Sequence, residues 1–128
     1  MTIGADINRA NTNGWTPLHV ACFDGHEKVI KYLTTVGAQV NRPNNKGLTP
    51  LFIASENGHD QVVEYLATVG ADINRGSNKG YTPLFIASQN SHERVVEHLV
   101  TIGAEINRPT NNGFTPLYIA CEMGHEKI

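Results

Sequence analysis

The sequence predicts an all-α solenoid of helix–turn–helix units joined by hairpin-like loops. Three observations predict it. Gly14, Gly47, Gly80 and Gly113 recur at steps of 33, as do the pairs Thr16-Pro17, Thr49-Pro50, Thr82-Pro83 and Thr115-Pro116. His26, His59, His92 and His125 keep the same step, and residues 47–79 match residues 80–112 at 21 of 33 positions. Within each step the apolar residues fall on one helical stripe, which a lone unit cannot bury but a stack of neighbours can.

The unit from 14 to 46 shows how each element is specified. Gly14 supplies a tight turn. Thr16 is a good N-cap and Pro17 suits the first helical position, so a helix starts there and runs about two turns through Leu18, Val20, Ala21 and Cys22. Gly25 ends it in the left-handed conformation that glycine adopts without penalty. A second helix begins near His26, with Val29, Ile30 and Leu33 forming its stripe. Gly37 stops this helix, and Ala38 to Lys46 form an extended, Asn-rich loop to the next unit. By this period the chain is one domain, 1–128: a partial unit 1–13, full units 14–46, 47–79 and 80–112, and a truncated unit 113–128. Neither end carries a polar capping unit, so a fragment of a longer array and end-to-end self-association are expected.

Composition narrows the function. Hydrophobic residues make up 40% of 128, enough for a core, and the net charge of −2 argues against binding nucleic acid by phosphate neutralisation. No apolar run is long enough to span a membrane, and Met1 to Arg9 do not read as a secretory leader. Only Cys22 and Cys121 are present, far apart in sequence, which predicts free thiols and an intracellular, cytoplasmic setting.

Thr16-Pro17-Leu18-His19-Val20-Ala21 reproduces the pattern T-P-L-H-x-A, and Gly25-His26, Val29-Ile30, Leu33 and Gly37-Ala38 follow it at matching spacings. The chain therefore resembles the ankyrin repeat family over nearly its whole length. Its departures are local. Phe52, Phe85 and Tyr118 replace the signature histidine, and are expected to stack in the seam between units. Ser91 replaces the turn glycine, at an expected cost of a few tenths to about 1 kcal/mol. Asn11, Asn44, Ser77 and Thr110 stand where the family often has aspartate. The resemblance also makes Asn41, Asn74 and Asn107 look like loop asparagines that asparaginyl hydroxylases modify in some ankyrin proteins, with Leu33, Leu66 and Leu99 eight residues earlier.

No catalytic or cofactor constellation emerges. The repeated histidines occupy one position per unit. Packed helices sit about 8–10 Å apart, whereas ligands of one zinc lie about 2 Å from it, so these histidines do not share a metal. Cys22 and Cys121 fill a position that is Ser55 and Ser88 elsewhere and read as small core residues. Neither G-x-S-x-G nor a phosphate-binding loop is present. The expectation is no enzyme, no metal and no cofactor.

The residues that change between near-identical units are the informative ones. The resemblance implies that loop tips and the exposed face of the first helix line a concave groove. Matching variable positions are Trp15, Leu48, Tyr81 and Phe114, the helix residues Phe23, Glu56, Gln89 and Met123, and Lys46 and Lys79 at the tips. Large apolar side chains of this kind make interface hot spots when exposed; the alternative is that they shield the loop bases. Arg9, Arg42, Arg75 and Arg108 make the loop edge net positive, either steering an acidic partner or pairing with neighbouring loop carboxylates. The expected function is a module that binds another protein through this groove. A spacer in a longer array and an engineered scaffold are the alternatives.

Overall fold

In a computed structural model, residues 6–122 and 124 are described. Seven helices occur among them: α1 (Pro17–Asp24), α2 (Glu27–Thr35), α3 (Pro50–Glu56), α4 (Asp60–Thr68), α5 (Pro83–Gln89), α6 (Glu93–Thr101) and α7 (Pro116–Glu122). The first helices α1, α3, α5 and α7 stack in one layer, and α2, α4 and α6 stack in a second. No strand occurs among the described residues, so the expected all-α solenoid is what forms.

Each first helix starts as the sequence dictates. Thr16, Thr49 and Thr82 are N-caps whose side chains accept the backbone N–H of His19, Phe52 and Phe85, and a proline follows each cap. Gly25 terminates α1 at φ 71°, and Gly58 takes φ 74° just past α3. At Gly58 a Cβ would lie 2.7 Å from the His92 ring, so close approach as well as backbone conformation selects glycine. Ser91 takes the same turn at φ 61° and is the only described non-glycine residue with positive φ. Ser91→Gly is therefore expected to stabilise the fold by about 0.5–1 kcal/mol, read as a higher urea midpoint at unchanged slope.

The second helices use their N-cap histidines differently. His26, His59 and His92 make no side-chain cap bond to their own helix. Instead His59 Nε2 lies 2.9 Å from Phe23 O, and His92 Nε2 lies 2.8 Å from Glu56 O. These carbonyls end the first helix of the preceding unit and lack an intrahelical partner. His59 and His92 thus tie their units to the preceding ones. His125 lies outside the described residues.

The core runs between the two layers. Leu18, Leu51 and Leu84 meet Ile30, Val63 and Val96, with Leu33, Leu66, Leu99 and Cys22 alongside. Three expectations fail at the ends of the stack, for one reason. Val29 is 48% exposed, whereas Val62 in the next unit is 2% exposed, because the unit that covers this position internally has no counterpart before α2. Tyr118 is 50% exposed, while Phe52 and Phe85 are buried in the seam as expected. Cys121 is exposed and so is no core residue, unlike buried Cys22. A cavity of about 280 Å³ opens beside α6 and α7, lined by Leu84, Val96, Val100, Ile106 and Leu117. Ser88 also lines it, and its buried hydroxyl has no partner, whereas Ser55 Oγ donates to Leu51 O at 2.8 Å.

Candidate protein-interaction face

The loops are built to hold neighbouring tips in line. Asn11 Oδ1 accepts the N–H groups of Asn13 and Trp15, both at 2.9 Å. Asn44 Oδ1 does the same for Lys46 and Leu48, and Ser77 Oγ for Lys79 and Tyr81. Thr110 Oγ1 accepts Phe114 N at 3.1 Å. The residues standing in for aspartate therefore close the same turn with a neutral oxygen. Successive tips are then laddered together: Asn45 N donates to Asn13 O, Asn78 N to Lys46 O and Asn111 N to Lys79 O. The side-chain amides of Asn45, Asn78 and Asn111 donate to Thr12 O, Asn45 O and Asn78 O. The tip asparagines serve the scaffold, which leaves Lys46 and Lys79 as the exposed, uncommitted tip residues.

The arginines also join loops, but not in the way expected. Arg42 Nη1 donates to Asn8 O at 2.7 Å and Arg75 Nη1 to Asn41 O at 3.3 Å. Their partners are backbone carbonyls, not loop carboxylates. The same loops are clipped by asparagine side chains: Asn41 donates to Gly70 O and accepts Asp72 N at 2.7 Å, and Asn74 accepts Glu105 N at 2.8 Å.

Between this ladder and the first helices lies the aromatic row. Trp15 meets His19 and Phe23 on α1, each with ring centroids 5.9 Å apart. Tyr81 stacks on Phe85 at 4.9 Å and Phe114 on Tyr118 at 5.0 Å. In each case a residue just before a first helix folds back on a ring within that helix, four residues on for Trp15–His19, Tyr81–Phe85 and Phe114–Tyr118 and eight for Trp15–Phe23. Trp15, Leu48 and Tyr81 are half-buried, with Trp15 and Leu48 packed against the core, and Phe114 is 39% exposed. Phe23 is 49% exposed. These side chains are thus partly covered by their neighbours and keep some surface accessible to solvent. Met123 lies outside the described residues.

Two titratable groups on this side have displaced pKa values. Partial burial lifts the Glu56 carboxyl above its ordinary value, with the Lys46 ammonium pulling the other way. The corresponding positions of the next unit are Lys79 and Gln89.

Burial lowers the pKa of His19, opposed by its hydrogen bond to Leu48 O and reinforced by Arg42. The geometry agrees. His19 Nδ1 accepts Thr16 N at 3.1 Å, and Nε2 lies 2.9 Å from Leu48 O, an arrangement that needs a neutral ring with its proton on Nε2. An unfolded histidine takes up a proton near 6.5 and the folded one resists it, so the unfolded chain binds more protons below that pH. Stability from this group is present above about pH 6.5 and lost on acidification. His19→Phe, which copies Phe52 and Phe85, is expected to unfold more easily than the parent at neutral pH. That difference should shrink as the pH falls to about 5, measured by urea denaturation across the pH range.

Among the described residues no group of three or more His, Cys, Asp or Glu side chains is placed to hold a metal ion. No helix among them is long and apolar enough to cross a membrane.

A stack of paired short helices, capped by Thr-Pro and laddered through its loop tips, defines a helical repeat protein. The profile for ankyrin repeats in three copies matches residues 1–77 and 70–128, and the chain belongs to the ankyrin repeat family. It is similar to the Notch-regulated ankyrin repeat-containing protein of Homo sapiens, 53% identical over 32 residues, which cover 25% of this chain and 28% of that one. It is also similar to protein phosphatase 1 regulatory subunit 27 of Mus musculus, 53% identical over 30 residues, covering 23% and 20% of the two chains. The chain thus spans less than a third of the length of these curated relatives. Ankyrin repeats are generally protein–protein interaction modules and typically not enzymes.

Proposed function

We propose that this protein binds another protein through the face formed by its loop tips and first helices. Trp15, Leu48, Tyr81 and Phe114 form the floor, Phe23, Glu56 and Gln89 one wall, and Lys46 and Lys79 the other. The observation that carries this reading is the contrast along the repeats. The capping threonines, the core leucines and the tip asparagines repeat and are used up in holding the stack. The large residues just before the first helices differ from unit to unit, and Trp15, Leu48, Tyr81 and Phe114 each keep part of their surface accessible. A set of large aromatic side chains held rigid by ring contacts offers contact area at low entropic cost, which is what interface anchors need. Capture of a partner by the parent protein and its loss from the variant Trp15→Ala/Tyr81→Ala/Phe114→Ala tests the proposal. Equal capture by both would contradict it and favour a spacer role.

A second reading rests on the ends of the stack. Val20 and Val29 at one end, and Val100, Ile106 and Leu117 at the other, are exposed apolar positions. The internal equivalents of Val20, Val29 and Leu117, namely Ile53, Val62 and Leu84, are buried. Such faces favour head-to-tail self-association, a heterologous contact that does not close on itself. Sedimentation velocity should show mass rising with concentration, and Leu117→Lys should abolish the rise; a concentration-independent monomer would sink this reading.

A further inference from the structure

We propose that the groove beside α6 and α7 receives an amphipathic helix from another polypeptide, with apolar residues at positions i, i+1 and i+4 and a basic residue at i+3. The proposal does not rest on the loop-tip face and would stand without it.

The stack itself shows what covers such a groove. Of the eight residues that line the cavity, seven recur 33 places earlier, and only Val100 differs, being Ala67 there. One unit earlier, Leu51, Val63 and Leu84 of that surface are 0%, 0% and 3% exposed. Helix α6 packs on α4 and α5 there, and its Val95, Val96 and Leu99 join the same buried cluster. Those three residues stand at i, i+1 and i+4, on one face of the helix. In the next copy of the surface, Val100, Ile106 and Leu117 are 47%, 53% and 58% exposed, and no second helix stands beside α7 among the described residues. Ser88 marks the same difference. Its buried hydroxyl has no partner at the open surface, whereas the hydroxyl of Ser55, its covered counterpart, donates to Leu51 O. An apolar groove that repeats a helix-covered one is suited to an amphipathic helix laid in by its apolar face.

The basic residue follows from contacts between second helices. Two units show what the i+3 residue does. Tyr65 on α4 reaches back to α2, where its hydroxyl lies 2.7 Å from Thr34 Oγ1 and its ring centroid 5.7 Å from Lys31 Nζ. His98 on α6 reaches back to α4, with Nε2 3.7 Å from Asp60 Oδ2 and 3.6 Å from Glu64 Oε2. One unit on, the places of Asp60 and Glu64 are held by Glu93 and Glu97. In that register two carboxylates fall beside the i+3 residue of an arriving helix, which favours lysine or arginine. A second copy of this chain does not supply such a helix. Ile30 and Leu33 of α2 are 0% and 7% exposed in their own core, and Tyr32 holds the i+3 place.

The probe is a synthetic peptide of about 18 residues whose centre copies residues 93–101 with His98→Lys, extended by alanine, glutamate and lysine because shorter helices do not persist alone. One control carries His98→Glu in the same peptide, and another scrambles the sequence. Calorimetry should show the lysine probe binding at least about tenfold more tightly than the scrambled peptide and about threefold more tightly than the glutamate one. Glu93→Gln/Glu97→Gln should remove the second preference and keep the first. Leu117→Lys and Ile106→Lys, each at an exposed position, should each remove binding while circular dichroism stays helical. Trp15→Ala/Tyr81→Ala should bind the probe as the parent does, so failure of the loop-tip face and failure of this groove read out separately. Equal affinity for the probe and the scrambled peptide overturns the proposal, as does binding that survives both lysine substitutions. Equal affinity for the lysine and glutamate probes overturns the register. Concentration-dependent mass in sedimentation that the probe does not suppress assigns the groove to a second copy and overturns the proposal as well.

Discussion

Leu66→Ala is expected to destabilise the protein by about 2–5 kcal/mol, the range for emptying a buried leucine site that cannot collapse. Leu66 is 0% exposed and sits on α4, the central helix of the second layer, which packs on α3, α2 and α6. Whole domains are stable by only about 5–15 kcal/mol, so the loss is a large share of the total. Repeat arrays are held by neighbour-to-neighbour terms, and a weakened centre uncouples the two sides. Trp15 lies in the first unit, whereas circular dichroism averages over all helices. The parent should therefore show coincident urea transitions by Trp15 emission and far-UV circular dichroism. Leu66→Ala should shift both to lower urea and separate them. Coincident, unshifted curves would mean that the stack does not rely on this joint.

The second large effect is on recognition. Replacing Trp15, Tyr81 and Phe114 by alanine together is expected to abolish partner binding, since each hot-spot side chain contributes about 2 kcal/mol or more and such losses compound to over a thousandfold. The scaffold should survive. These side chains are half-buried or exposed, and the turn bonds beneath them run through backbone N–H groups that alanine keeps. Circular dichroism should stay that of a helical stack, with a modest drop in stability from the lost ring contacts. Loss of binding together with loss of helix would leave the aromatic row a structural feature. Loss of binding alone assigns it to the partner.

Much of this was legible in the sequence because a repeat tests each assignment several times. Thr-Pro at the helix starts, glycine at the turns and the i, i+1, i+4 stripe each recur, and local signals agreeing at every level specify one fold. What escaped was what lies between units. The periodic pattern marked Val29 and Tyr118 as seam residues, but whether a seam residue is covered depends on the neighbouring unit, which the pattern cannot show for the outermost ones. Cys121 follows the same logic. The arginines carried a clear charge, yet their partners are the carbonyls of Asn8 and Asn41, which have no sequence signature. The role of the repeated tip asparagines was not legible either. It shows only in the ladder of amide bonds that joins Asn45, Asn78 and Asn111 to the preceding tips. The row from Trp15 to Phe114 was visible as a set of unlike large side chains at one repeat position. The ring contacts to Phe23, Phe85 and Tyr118 were not, because the row residues precede the helices and their side-chain direction depends on how the loop enters the N-cap.

The most direct test of the binding face is hydrogen exchange on the protein with and without its captured partner. Protection should concentrate at the tips and turns around residues 12–15, 45–48, 78–81 and 111–114 and along α1, α3 and α5, with α2, α4 and α6 unchanged. Protection confined to α2, α4 and α6, or to the two ends of the stack, would contradict it.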